Sequence, residues 1–286
     1  MKYADKRIDE EDLESVQAGN RRWWSEHTMS YDWKDRAPTK RFTAEWFDEI
    51  DRRFIESSRL FAHDESPFDQ IIPLQRLKGM KILEIGCGMG LHSELMTRAG
   101  ADVVAVDISD TSVNATRTRM GLKSLACDVQ KMDALSLEFS DDTFDFVWSW
   151  GAIHHSAQTG RIIREIHRVL KPAGETRLMV YNLGGMPAYV TILKRYLFNF
   201  WRGESLDHCL WTGTDGYSAR FYTEDILVDI LGIFFRDVSV ASYGQEADAI
   251  PLPRSIRKLL LPLLSTQTVS AWANKRGAFL LATGTK

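Results

Sequence analysis

Lys81-Ile82-Leu83-Glu84-Ile85-Gly86-Cys87-Gly88-Met89-Gly90 runs from an aliphatic, β-branched stretch into three alternating glycines. The stretch predicts a buried strand ending in a tight turn. Residues 91–99 behind it carry apolar side chains at helical spacing and stop at Gly100, which predicts a helix. The same rhythm continues outward. Residues 102–107 predict a second strand, 109–119 a helix, 124–128 a short third strand and 144–149 a fourth. Ile162, Ile163, Ile166, Val169 and Leu170 share one face of a helix over 161–170, and Lys171-Pro172-Ala173-Gly174 stops it before a fifth strand at 176–181. Strands alternating with helices predict an α/β fold, a doubly wound, Rossmann-like and mainly parallel sheet.

Beyond this core, residues 222–234 predict a helix, 237–243 a strand, 253–264 a basic, leucine-rich helix and 278–283 a closing strand. Residues 1–78 are charged and rich in aromatics (Trp23, Trp24, Tyr31, Trp33, Trp46, Phe47, Phe54, Phe61), with helical spacing from 42 to 60, and read as a helical N-terminal cap. Residues 183–221 break the pattern with Tyr189, Tyr196, Phe198, Phe200, Trp201 and Trp211, and read as an ordered, aromatic-rich insertion on the substrate side. The expected organisation is a cap at 1–78, a core of 79–182 and 222–286, and the insertion at 183–221.

The 286 residues hold 36 Lys+Arg and 39 Asp+Glu, a net charge of −3, without the basic excess of a nucleic-acid coat. A hydrophobic fraction of 44% with 26% charged residues is that of a soluble globular protein, not a disordered one. Cys87, Cys127 and Cys209 stand far apart with no CxxC pair, which favours neither a disulfide framework nor a structural zinc. The first residues lack the apolar core of a secretory signal, and no apolar stretch approaches the roughly 18–20 residues of a spanning helix. We expect a cytoplasmic protein without a metal site.

Glycines at alternating positions let a ligand approach the main chain without meeting a Cβ. The dinucleotide pattern G-x-G-x-x-G, counted with Gly86 as its first position, requires glycine at the sixth, where Leu91 stands, and no Gly-Lys-Ser/Thr ends the turn as a Walker loop would. The start of the following helix suits a single carboxylate. Asp107 follows Gly86 by 21 positions at a strand end, where its carboxylate can accept from both hydroxyls of a ribose; it also reads as a capping partner near Ser109. A ribose and a carboxylate without pyrophosphate describe S-adenosyl-L-methionine better than NAD.

Four segments agree in order with a known family: "ILEIGCGMG", "VVAVDIS", "ACDVQKMDALSLEFSDDTFDFVWSWGAIHH" and "EIHRVLKPAGETRLMVYN". From residue 80 to 182 the chain resembles the class I S-adenosylmethionine-dependent methyltransferases of the type-11 small-molecule group. The resemblance implies seven strands, the last antiparallel. It implies that Gly86, Cys87, Gly88 and Gly90 line the methionine part of the cofactor, that Glu84 supports the loop or the amino group, and that Asp107 holds the ribose. Ile108 would face the adenine, Asp128 accept from its amino group, Val129 supply an adjacent backbone contact, and Ser149 and Trp150 border the methionine amino group and the methyl. Two positions depart from the pattern: Ala173 replaces a usual glycine, and Trp150 is bulkier than is usual there.

Methyl transfer needs alignment first and a base only when the acceptor arrives protonated. His154 and His155, past the fourth strand, are candidate bases by position, and both also read as structural groups capping the next helix. Tyr181 is a candidate for orienting the acceptor. Arg220 and Arg202 are candidate anchors for an acidic acceptor, and residues 253–264 for peripheral contact with an anionic membrane. The expected activity is methyl transfer to an oxygen, nitrogen or carbon of an aromatic, quinone-like or acidic small molecule, yielding S-adenosyl-L-homocysteine. A nicotinamide-dependent oxidoreductase and a non-catalytic cofactor-binding protein are the alternatives.

Overall fold

Strand β1 (Lys81–Ile85) lies inside the sheet because both of its faces are apolar. Leu83 and Ile85 enter one core layer and Ile82 the other, the period-2 alternation of a strand covered on both sides. The structure, a computed structural model, describes residues 10–32, 36–62, 67–197, 203, 205–211, 213 and 216–286. Trp33, Phe198, Phe200, Trp201 and Arg202 lie outside the described residues.

Parallel to β1 run β2 (Asp102–Asp107), β3 (Asp128–Lys131), β4 (Phe144–Trp150) and β5 (Leu170–Asn182). A two-residue β6 (Phe221–Tyr222) pairs with the end of β5, while β7 (Arg236–Tyr243) and β8 (Phe279–Thr285) complete the far side. The order is β3-β2-β1-β4-β5-β8-β7, with β8 antiparallel to both neighbours. The sheet therefore has the expected architecture with one extra short strand, eight instead of seven.

One core layer packs α5 (Thr159–Val169) and α8 (Glu224–Gly232) on the sheet through Ile162, Ile163, Ile166, Leu227 and Leu231. The other gathers Ile82, Val103, Phe146 and Trp148 under α3 (Leu91–Arg98) and α2 (Ala44–Ser57), with Phe54, Phe61 and Phe68. The cap's helices are α1 (Glu10–Glu26) and α2, the latter burying Trp46, Phe47, Ile50 and Phe54. Arg119, 1% exposed on α4 (Asp110–Lys123), joins three elements: it pairs with Asp51 of α2 and Glu94 of α3 and donates to the Met89 carbonyl.

Three boundaries differ from expectation. The third strand is Asp128–Lys131, not 124–128, because Ser124 closes α4 in a left-handed conformation and the chain needs residues 125–127 to return to the sheet. The helix expected from 222 begins at Glu224, since Thr223 caps it and Tyr222 belongs to β6. Strand β5 starts at Leu170 and runs through Pro172-Ala173-Gly174 with a register shift against β4, Ala173 adopting φ 63°. The insertion holds α6 (Met186–Thr191), a π-helical turn (Ile192–Leu197) and α7 (Leu206–Trp211). The C-terminal part holds α9 (Glu246–Ala249), α10 (Arg254–Leu260), a 3₁₀ turn (Leu261–Leu263) and α11 (Thr266–Lys275); α9 and α11 carry no clear apolar period, and the sequence gives no sign of them. No helix among the described residues is long and apolar enough to cross a membrane.

Candidate active site

The C-terminal ends of β1, β2 and β4 open into a cavity of about 1220 Å³. Gly86, Gly88 and Gly90 all hold left-handed backbone, at φ 81°, 53° and 80°. Their reasons differ. A Cβ on Gly86 would meet Ala152 at 2.3 Å and one on Gly90 would meet Thr116 at 3.0 Å, whereas one on Gly88 would meet nothing within 4 Å. The outer two glycines permit close packing of the turn, and the middle one faces open cavity.

Asp107 clamps this turn to the next strand. Its Oδ2 accepts from Gly88 N–H at 3.0 Å and its Oδ1 from Ser109 N–H at 2.9 Å, while Ser109 itself caps α4. Each carboxylate oxygen keeps further lone-pair capacity toward the cavity, which it borders together with Ile108. Enclosure pushes the Asp107 carboxyl upward against these hydrogen bonds. Behind the turn, buried Glu84 accepts from Ser93 Oγ, and burial raises its carboxyl to about 8, with Asp107 adding to the rise. A cationic ligand beside Glu84 would restore its charge.

The loop after β3 supplies the next wall: Met132, Asp133 and Ala134 border the cavity. Asp128 and Val129 do not. Asp128 sits at the exposed start of β3, bonded to Gln130, and the Val129 carbonyl accepts from Arg117 at 3.0 and 2.6 Å. The expectation for these two is corrected by the displaced strand. Ligands meet the carboxyl ends of parallel strands, and moving β3 along the chain makes Asp133 the first acidic residue past that end. Helix α1 closes over this part: Gln17 donates to both Asp133 oxygens at 3.0 Å, Arg21 reaches one at 3.4 Å, and Ser109 Oγ donates to the Trp24 carbonyl at 3.0 Å.

Ser149, expected beside the methionine amino group, is fully buried and donates to the Ile85 carbonyl at 2.9 Å, holding β4 to β1 away from the cavity. Trp150 does border the cavity, stacked on Trp148 at 5.9 Å and 5.8 Å from Phe279. Cys87 lines it with its thiol against Thr116 Oγ1.

The two histidines separate. His154 is 0% exposed, lies outside the cavity wall and packs against Tyr181 at 4.0 Å with the rings tilted by 44°; apart from an approach to the Met179 carbonyl its ring nitrogens have no partner, and burial, with His155 adjoining, drives its pKa well below 6.5. It is a neutral core group, not a base within reach of a ligand. His155 borders the cavity, with Nδ1 2.7 Å from the Ser218 carbonyl oxygen. A carbonyl only accepts, so the neutral ring carries its proton on Nδ1 and its lone pair on Nε2. Asn20 and Ser218 both donate to the His155 carbonyl, and Trp24 packs edge-on at 4.8 Å, so cap and insertion brace this residue. Tyr181, at the end of β5, borders the cavity. Arg220 does not: it donates to the Ala157 carbonyl at 2.8 Å and covers Trp211 at 5.4 Å, which spends its guanidinium on structure.

Past His155 the cavity widens to Trp150, Met179, Tyr181 and Phe279, then to a mouth formed by Glu56 of α2, Arg59 just past its end, and Gln245, Arg254, Arg257 and Lys258. No described residue of 183–221 borders it, so the insertion acts from behind His155 and the outer wall comes from the C-terminal helices. A pattern read one segment at a time gives no signal for that wall; for Asp133, its place two residues past a correctly bounded β3 would suffice.

Residues 83–178 match a methyltransferase domain family. The chain is 26% identical over 175 residues to the ubiquinone biosynthesis O-methyltransferase of Sinorhizobium fredii, covering 58% of this chain and 67% of that protein. It is 30% identical over 165 residues to the protein of the same name from Ruegeria pomeroyi, covering 57% and 63%. The chain thus spans about two thirds of the length of these relatives. A SAM-dependent methyltransferase of Thermotoga maritima, described as a possible histamine N-methyltransferase, shares the fold with a TM-score of 0.52 over 85% of this chain and 97% of that one, at 18% identity. The [4+2]-cyclase SpnF shares it at 0.50 over 89% and 85%, at 19% identity, so fold alone does not set the reaction. With the matched domain, the strand order and the glycine turn taken together, the chain belongs to the class I S-adenosylmethionine-dependent methyltransferases.

Proposed function

We propose that this methyltransferase acts on a hydroxyl oxygen of a small aromatic or quinone-precursor-like acceptor, with S-adenosyl-L-methionine as donor. The observation that carries the reading is one continuous cavity joining the glycine turn, His155 and the aromatic wall of Trp150, Tyr181 and Phe279. Its volume of about 1220 Å³ exceeds the roughly 300–1,000 Å³ usual for one ligand, which suits a cofactor and an acceptor side by side. The relatives named for O-methylation in ubiquinone biosynthesis agree with an acceptor of this shape.

The residues present fit the cofactor. The open side of Gly88 would admit a ligand to the backbone, Asp107 has acceptor capacity for ribose hydroxyls, Met132, Asp133 and Ala134 would border the adenine, and Glu84 would compensate a positive amino group. When bound, the cofactor supplies a methyl group on a sulfonium sulfur, which is already activated. The chain's own work is alignment, exclusion of water by α1, and removal of the acceptor's hydroxyl proton by His155 Nε2, its ring fixed by the Ser218 carbonyl. Trp150 and Phe279 hold the acceptor ring.

Isothermal titration with S-adenosyl-L-homocysteine, with NADH as the control, tests the cofactor half. Formation of S-adenosyl-L-homocysteine on addition of catechols or hydroxybenzoates tests the acceptor half. Binding of NADH alone, or turnover with amines and none with phenols, overturns the respective half of the reading.

A further inference from the structure

We propose that residues 252–263 dock the protein on an anionic membrane surface, with the cavity mouth at the bilayer. Neither α10 nor the 3₁₀ turn that follows it contains a buried residue. Leu252 stands just before the Pro253 cap, Ile256 and Leu259 stand three apart on one face of α10, and Leu263 lies in the 3₁₀ turn that follows. In an ordinary surface helix such a stripe turns inward. Here these residues are 42%, 44%, 74% and 78% exposed. Scattered exposed apolar residues need no explanation, but four within one twelve-residue segment that buries nothing mark a contact surface.

The charge around the stripe selects the partner. Arg254, Arg257 and Lys258 lie among these residues; Arg254 approaches Glu56 only to 3.7 Å, and Arg257 donates to the Leu252 carbonyl. Residues 249–286 hold six Lys and Arg and no Asp or Glu, within a chain whose net charge is −3. Positive charge is thus segregated to the end of the chain that exposes the leucines. A bilayer with anionic headgroups uses both features at once. A second copy of the chain meeting the same face would oppose like charges, and a nucleic acid would leave the leucines in water.

The placement has a consequence for the acceptor. Arg254, Arg257, Lys258, Leu261 and Pro262 form part of the cavity mouth. Docking through the neighbouring leucines sets that mouth at the headgroup level, so that an amphiphilic acceptor passes from the bilayer to the aromatic wall without crossing water. This consequence rests on the methyltransferase reading of the cavity; the docking itself does not.

Co-sedimentation of the full chain with vesicles tests the proposal, using phosphatidylcholine alone and phosphatidylcholine mixed with phosphatidylglycerol. Binding to the mixed vesicles should be tighter by at least ~tenfold, since each cation near an anionic surface contributes roughly a fivefold gain, and salt should weaken it. The double variant Leu259→Ser, Leu263→Ser should lose at least ~tenfold in vesicle affinity while keeping its melting temperature and its affinity for S-adenosyl-L-homocysteine. Absence of vesicle binding by the parent chain, or equal binding by parent and variant, overturns the proposal. So does a change from dimer to monomer on substitution with no vesicle binding by either, which assigns the stripe to a second copy. Vesicle binding without any binding of S-adenosyl-L-homocysteine would remove the functional reading and leave the docking intact.

Discussion

At the glycine-turn end of the cavity the walls hang from the ends of β1 to β4, whereas at the mouth they come from α2, the region of α9 and α10, and aromatic rings far apart in sequence. The first end is built from backbone: N–H groups of Gly88 and Ser109 on Asp107, with three glycines shaping the turn. The second is built from side chains on elements that include the exposed α10. A cofactor common to many reactions can be read by the main chain of a shared core, while an acceptor peculiar to one enzyme must be read by parts free to vary.

The most severe way to break this division is to cut the bond between its halves. Arg119 ties α2, a wall of the mouth, to α3 and α4 behind the turn. Arg119→Met should cost about 3–5 kcal/mol, because it leaves Asp51 and Glu94 enclosed without their partner. Urea unfolding measures this, and a loss below about 1 kcal/mol would show the halves to be independent. His155→Ala should lower turnover by about 10²-fold or more with cofactor affinity unchanged. His154→Asn should leave the acid limb of the pH–rate profile where it is, since its ring does not reach the cavity.

Within the cofactor half, Asp107→Ala should weaken S-adenosyl-L-homocysteine binding by about 1.5–3 kcal/mol, one charge-assisted hydrogen bond's worth, as read by titration calorimetry. Asp133→Ala should weaken it less and Asp128→Ala not at all, a ranking that inverts if β3 spans 124–128. Glu84 makes a subtler test. Its carboxyl stands at about 8 in the folded chain against an ordinary 4.5. Its stabilising contribution is therefore fully present below about pH 4.5 and is lost as the pH rises through 8. Unfolding free energies should fall across that window, and Glu84→Gln should flatten the trend. The smallest effect lies far from the cavity. Ala173 holds φ 63°, where an L side chain is strained, so Ala173→Gly should raise stability by about 1 kcal/mol in thermal melts without altering binding.

Much of the cofactor half is legible in the sequence because its signals are local. The run from Lys81 to Gly90 contains both the strand and the turn, and Asp107 closes the next strand where the βα rhythm puts it. Trp150 and Tyr181 fall at strand ends by the same reasoning, and both border the cavity. Legibility fails where a boundary slips or a side chain has a choice of two directions. Reading β3 a few residues early moves the acidic position from Asp133 to Asp128. Ser149 and His154 stand in the expected stretch but point into the sheet and the core, which spacing cannot reveal. The aromatic insertion looks like the acceptor wall by composition, yet its described residues brace His155 through Ser218 and leave the cavity to others.

Local patterning is enough for the sheet, the glycine turn and the family, because strand periodicity, alternating glycines and an acidic residue at a strand end act over a few consecutive residues. It takes the packed fold to select which of two adjacent histidines meets the cavity, which acidic residue follows β3, and that α1 and α10 bound the site. Those choices depend on contacts between residues more than a hundred positions apart, such as Gln17 with Asp133 and Asn20 with His155. Such contacts form only when the chain has collapsed around its core, and no local pattern encodes them.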